Sequence, residues 1–282
     1  MNDWRERART LRLVPLDWIL HRCDARSDRF DAHKWHTRRG VLTVTGTQFM
    51  NWTLGQGGGG AIDLVMHLQQ LGFGQALEWL GSHFGTPEFA PPSPLLRPQP
   101  MLALPPTAPQ NLARVRRYLT KERRLPSMLF EPLIDSGDLY ADARANAVFL
   151  LRDGQDRPVG AELRGTTAGA WKGMAPGSRK DLGCFATPPP PVTEAIVLCE
   201  SAIDALSCHA LQPSYRCLST AGARPNPGWL PDLVGRDCPL YCGFDCDATG
   251  EAMAQSMMAL HPSVQRLRPP RKDWNDVLRL GA

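Results

Sequence analysis

Three carboxylates stand out by type and spacing: Glu200, closing the apolar run IVLCE, and Asp245 and Asp247, closing LYCGFDCD. Both runs read as strands, and each leads into a helical pattern, SAIDALSCHAL after Glu200 and GEAMAQSMMALH after the D-x-D. In a strand, residues i and i+2 project to the same side, so the D-x-D spacing aims both carboxylates at one point. Oxygen ligands converging at a strand end suit Mg²⁺, a hard cation that keeps several waters and binds substrate phosphate. Such an ion stabilises charge on a phosphoryl group and orients an attacking oxygen. Single acidic residues after strands also serve as turns and helix caps, so the order of elements around these three decides what they mean.

From Val192 onward, short apolar runs alternate with helical patterns: AIVLCE, SAIDALSCHAL, YRCLST, PLYCGFDCD, GEAMAQSMMALH, VQRLRPP, DWNDVLRL. Strand, helix, strand again predicts a parallel sheet with crossover helices, in which chemistry gathers at the C-terminal strand ends. Residues 86–110 are dominated by proline, which removes backbone donors and favours extended polyproline II; they read as a linker. Residues 1–85 form a module in which VLTVTG and FMNWTL read as strands ahead of Gly57 to Gly60. Two helices follow, the first with Ile62, Val65, Met66 and Gln69 at helical spacing. In residues 111–191, Asn111 is expected to cap the basic helix LARVRRYLTKERR. AVFLLRD and PVGAELRG then read as a hairpin around DGQDR. The expected class is α/β at the C-terminus and α+β overall, with residues 192–282 as the parallel-sheet domain.

These motifs, in this order, carry a resemblance. IVLCESAIDAL, LSTAGA, YCGFDCDATGEAMA and KDWNDVL together resemble a Toprim domain, the fold shared by bacterial primases, topoisomerases and some nucleases; the likeness runs from about Glu194 to Leu280. It implies that Asp245 and Asp247 hold Mg²⁺, or Mn²⁺ in its place, and that Glu200 binds metal or acts as general acid–base. Asp204, four residues after Glu200 on the same helical face, orients the site or caps backbone. Gly250 matches the family's small residue after D-x-D, whose plain role is close helix–sheet packing. Lys272 and Asp273 begin the last helix near the inferred metal end, where Asp273 either completes the acidic set or caps that helix.

Upstream, GGGGAIDLVMHLQQLGFGQALEWL is similar to the tail of the zinc-finger domain of DnaG-type replicative primases. Only Cys23 lies in this module, with His21, His33 and His36 nearby, whereas a structural zinc wants four ligands, often thiolates; no zinc is expected. The middle segment, with AELRGT, WKG and GS-K, resembles the basic half of a primase core. It looks closer still to Toprim proteins of plasmids and integrative elements. That likeness implies that Arg164, Lys172, Arg179 and Lys180 contact phosphates, their alternative being a solvated surface.

Other features are better explained by packing. Cys238, Cys242 and Cys246 recur every four residues, a spacing that keeps no single side of the strand expected there. Trp35, Trp52, Trp79 and Trp171 are core candidates before they are base-stacking ones. Gly57 to Gly60 lacks the Lys-Ser/Thr of a P-loop. The chain has 282 residues, 43% hydrophobic and 21% charged, and its formal charge of +4 permits a polyanionic partner without requiring one. No run approaches a membrane span, and eight cysteines without a CxxC pair fit a reducing compartment, so a cytoplasmic protein without membrane association is expected. The resemblance implies a primase-like nucleotidyltransferase on single-stranded DNA, using nucleoside triphosphates and a helicase or relaxase partner in mobile-element replication or transfer. A Toprim nickase or nuclease, or a non-catalytic nucleic-acid-binding module, remains open at this point.

Overall fold

The structure is a computed structural model; it describes residues 8–84, 101–167, 171–234 and 238–280. The chain divides into two units, Met1–Gln99 and Pro100–Ala282.

In the first unit, helix α1 (Leu16–Arg22) precedes five strands, β1 (Arg26–Ser27), β2 (Lys34–Thr37), β3 (Gly40–Thr45), β4 (Gln48–Asn51) and β5 (Gln56–Gly59), in an antiparallel meander. The expected helices follow as α2 (Gly60–Gln69) and α3 (Phe73–Phe84). Gly60 turns the chain at φ +80°, and its N–H donates to the Thr47 carbonyl oxygen at 2.7 Å. From there α2 lays Ile62, Leu64 and Val65 into a core with Ile19, Leu20, Leu42 and Leu80, all fully buried. The finger-like residues have ordinary partners: Gln69 donates to Cys23 Sγ at 3.1 Å, and His36 pairs with Asp28 at 2.9 Å. Trp35 is buried with His21 edge-on to its ring, Trp52 donates to Thr43 Oγ1, and Trp79 stacks on His83.

In the second unit the described end of the proline-rich stretch is anchored. Ala103 N–H donates to Pro176, Ala108 N–H to Ala141, and Tyr140 Oη to the Pro105 carbonyl. Residues 86–100 lie outside the described part. Helix α4 (Leu112–Arg117) continues through a π turn, Tyr118–Glu122, and α5 (Ser127–Asp135) follows. Asn111 does not cap α4 with its side chain; its Nδ2 donates instead to the carbonyls of Asp142 and Ala143. Strands β6 (Leu139–Ala141), β7 (Ala147–Arg152), β8 (Pro158–Arg164) and β9 (Lys172–Met174) form an antiparallel sheet that includes the expected hairpin.

The last sheet contains β10 (Phe185–Ala186), β11 (Ala195–Cys199), β12 (Tyr215–Ser219), β13 (Leu240–Cys242) and β14 (Val264–Arg266) in the order β10-β12-β11-β13-β14. Only the β10 pairing is antiparallel among its described strands. Helices α6 (Ala202–Leu211) and α7 (Ala248–Leu260) are its crossovers, and α8 (Trp274–Leu280) closes the described chain. Segments 111–191 and 192–282, read above as separate, share one apolar core: Leu119, Phe130, Phe149 and Phe185 pack with Val197, Cys199, Leu206 and Trp274. The sequence pattern overextends one strand. β13 ends at Cys242, because its neighbours pair with it only that far, so Asp245 and Asp247 stand on the loop beyond it.

Candidate active site

The C-terminal ends of β11, β12 and β13 come together where α6 and α7 begin. Ser201 caps α6: its Oγ accepts from Asp204 N–H and donates to Asp204 Oδ2 at 2.5 Å, and Asp204 is buried. Asp247 caps α7, accepting Gly250 N–H at 2.9 Å, and is exposed. Asp245 is half-buried between them, and its main-chain N–H donates to Glu200 Oε1 at 3.1 Å. The D-x-D pair is thus placed by a loop and a helix cap, not by strand alternation.

The loop has its own scaffold. Arg266 is almost wholly buried and donates to the carbonyls of Cys242 and Phe244 at 2.9 Å each, while Glu251 takes its remaining charge at 2.7 Å. Cys246 N–H donates to the Lys272 carbonyl at 2.7 Å, so the contribution of Lys272 here is its backbone. A methyl group on Gly250 would overlap the Asp245 carbonyl oxygen and lie 2.9 Å from Glu200 Oε1. Glycine is what lets α7 approach the loop.

The carboxylates act on one another. Burial pushes Asp245 up to about 8, with Asp204, Glu200, Asp273 and Asp247 adding like-charge repulsion. Asp204 is pushed up to about 6 by burial against its Ser201 bond, with Asp273 adding to it. Glu200 is raised by burial, opposed by the Asp245 N–H and Lys172. Asp273 also caps α8, accepting Asp276 N–H at 2.6 Å. Asp245 Oδ1 is buried with no hydrogen-bond partner among the described residues. Among the described residues no three Asp, Glu, His or Cys side chains form a group able to hold one ion. An open pair of carboxylates fits Mg²⁺, which takes one or two and fills its shell with water and phosphate, better than it fits a cation needing an all-protein cage.

Of the four basic residues, three gather here. Lys172 favours the charge of Glu200, and Arg164, directly across from Lys172 on β8, favours that of Asp204; neither side chain has a hydrogen-bond or ion-pair partner among the described residues. Lys180 donates to the Ala221 carbonyl at 2.8 Å and so braces the loop after β12, where Ala221 adopts φ +53°. Arg179 is engaged elsewhere, holding Asp181 bidentately at 2.9 and 2.5 Å. Burial alone would raise Asp181, but Arg179 leaves it below the usual range.

Glu162 was not singled out by sequence. It is buried on β8; Ser219 Oγ donates to its Oε1 and Ala202 N–H to its Oε2 at 3.2 Å. One carboxylate therefore ties the antiparallel sheet to the end of β12 and the start of α6. Trp171 is 53% exposed, beside Lys172, with its ring across Gly173. Cys242 is buried, but Cys238 is half-buried and Cys246 exposed, so the period-four cysteines share no single environment.

Residues 197–278, which carry the acidic cluster, match a family model described as Toprim-like, and residues 117–189, which carry Glu162, Arg164, Lys172 and Lys180, match one described as Protein of unknown function (DUF3991). The chain is 29% identical over 310 residues to a 65 kDa protein of Zymomonas mobilis, a match covering 97% of this chain; the chain spans about half, 51%, of that relative. Among solved structures it is similar to the primase fragment of the bacteriophage T7 primase-helicase protein, at 20% identity and TM-score 0.45 over 57% of this chain and 68% of that one. It is likewise similar to the E. coli primase catalytic core, at 14% identity and TM-score 0.43 over 60% and 70%. The Aquifex aeolicus primase, with zinc-binding and RNA polymerase domains, matches at 15% identity and TM-score 0.40 over 98% and 82%. No helix of the described residues is long and apolar enough to cross a membrane.

Proposed function

We propose that this chain is a Mg²⁺-dependent enzyme acting on nucleic acid, with primase-like nucleotidyl transfer on single-stranded DNA as its reaction. Mobile-element replication or transfer, with a helicase or relaxase partner, is its setting. The observation that carries this reading is Asp245: a buried carboxylate oxygen without a hydrogen-bond partner among the described residues, set among four other carboxylates, of which Glu200 and Asp204 feel the cations Lys172 and Arg164. Such a group is costly to fold unless function uses it. Asp245 and Asp247 would hold Mg²⁺ or Mn²⁺, with Glu200 beside them rather than as a third ligand; the ion, when bound, neutralises the acidic set and polarises a phosphate. Glu200 keeps Asp245 in place through Oε1, and its Oε2, without a hydrogen-bond partner among the described residues, accepts the proton of the attacking hydroxyl. Arg164 and Lys172 draw in the phosphates of the strand. Asp204 and Gly250 set the positions of the others.

The test is one gel: protein with labelled single-stranded DNA, separately labelled ribonucleotides, and Mg²⁺ or Mn²⁺, beside Asp245→Asn. The expected result is labelled oligonucleotide products that disappear in the variant. Shortened DNA without incorporation would replace this reading with a nuclease, and silence in both lanes would replace it with a binding module.

A further inference from the structure

A cavity lies in the second unit, away from the carboxylates. It has a volume of about 580 Å³, within the range of small-molecule sites, and its walls come from both sheets, α5 and the 310 turn at Leu230–Asp232. Its floor is the parallel sheet. Ile196 pairs directly with Arg216, and Leu218 follows two residues on, so the three project from one face. Ser219, which holds Glu162, belongs to the other face and is the last residue of β12. Phe185 and Trp229 complete an apolar lining.

Two cations line the cavity, Arg152, which is paired with Asp138, and Arg216. The Nε of Arg216 is buried with no hydrogen-bond partner, and its side chain makes no ion pair or hydrogen bond among the described residues. The acidic residues of the rim are engaged: Asp138 accepts from Arg152 at 2.5 Å, Asp153 from Arg157 at 2.8 Å, and Asp232 has a partner of its own. Asp156 also faces Arg152, at 3.6 Å. A buried Nε without an acceptor is costly to fold, and a guanidinium that lines a cavity is the group suited to pair with the two oxygens of a carboxylate or phosphate.

We propose that this cavity binds a small organic oxyanion with an apolar, flat body, its anionic group taken by Arg216 and its body by Ile196, Leu218 and Trp229. The site is separate from the carboxylate cluster and does not depend on the activity proposed above.

Phenyl phosphate is a suitable probe, titrated calorimetrically into the full chain at fixed ionic strength. Saturable one-to-one binding is expected, weakened at least ~10-fold, the equivalent of about 1.4 kcal/mol, in Arg216→Gln and unchanged in Asp245→Asn. Phenol, titrated into the unaltered protein, is expected to bind at least ~10-fold more weakly, a comparison that holds even if Arg216→Gln fails to fold. No binding of phenyl phosphate, equal binding of phenol, equal affinity in a folded Arg216→Gln, or loss of binding in a folded Asp245→Asn would each overturn the proposal.

Discussion

The main-chain N–H of Asp245 donates to Glu200 Oε1 at 3.1 Å, so the carboxylate at the end of β11 holds the loop that carries the other. Forty-five residues of chain separate the two, and the parallel pairing of β11 with β13 brings them together. The acidic site is therefore one hydrogen-bonded unit, in which moving the loop also moves Glu200.

Gly250 tests that unit. In Gly250→Ala the new methyl would overlap the Asp245 carbonyl and crowd Glu200 Oε1, and helix α7 or the loop has to give way. A stability loss of about 1–3 kcal/mol is expected, as for other overpacked sites. A displacement near 1 Å at reacting groups would lower the rate on the order of 100-fold. Thermal melts and the incorporation gel measure the two effects separately.

Asp245→Asn should do the reverse to stability. Without divalent cations, the folded protein holds Asp245 near 8 against about 3.8 unfolded, so between those values the native state binds the extra proton. Wild-type stability then falls as pH rises through that window, and Asn removes the loss. The variant is expected to melt higher at pH 8 by ~3 °C or more, at roughly 2–4 °C per kcal/mol, with the advantage shrinking toward pH 4. Mg²⁺ should raise the melting temperature of the wild type more than that of Asp245→Asn. Equal shifts would remove the cation from this site.

The order of strands and helices in the parallel sheet was legible because each element has its own hydrophobic period, and with it the place of Glu200 directly after β11. The strand alternation used to aim Asp245 and Asp247 was not what positions them. Nothing in LYCGFDCD marks where pairing with β11 and β14 stops, since that depends on the lengths of its neighbours. Glu162 was illegible for a related reason. In PVGAELRG a glutamate between apolar residues reads as the solvent side of a hairpin, but Gly160 through Leu163 are all buried because both faces of β8 are covered. The R-K-D spacing of Arg179 and Asp181, by contrast, was available as a signal for a local ion pair.

Glu162 invites a paired substitution. Glu162→Ala leaves Ser219 Oγ and Ala202 N–H without their buried acceptor, at about 1–3 kcal/mol for each unsatisfied group. Glu162→Gln keeps one acceptor oxygen and is expected to cost less than half as much in denaturant melts. Equal losses would show that the carboxylate's packing, rather than its hydrogen bonds, joins the two sheets.

The basic residues separate by partner. Arg179→Ala breaks a bidentate pair with a buried aspartate, so it should lower stability while leaving the salt dependence of DNA binding as it was. Lys172→Ala and Arg164→Ala remove cations that have no ion-pair partner among the described residues, so stability should hold within about 0.5 kcal/mol. Each should reduce the slope of log affinity against log salt by about 1, as expected when one fewer phosphate is neutralised. Titrations of single-stranded DNA from low to moderate salt resolve the difference. A reduced slope in a stable Arg179→Ala, with unchanged slopes in the other two, would move the strand from β8 and β9 to the far side of Asp181.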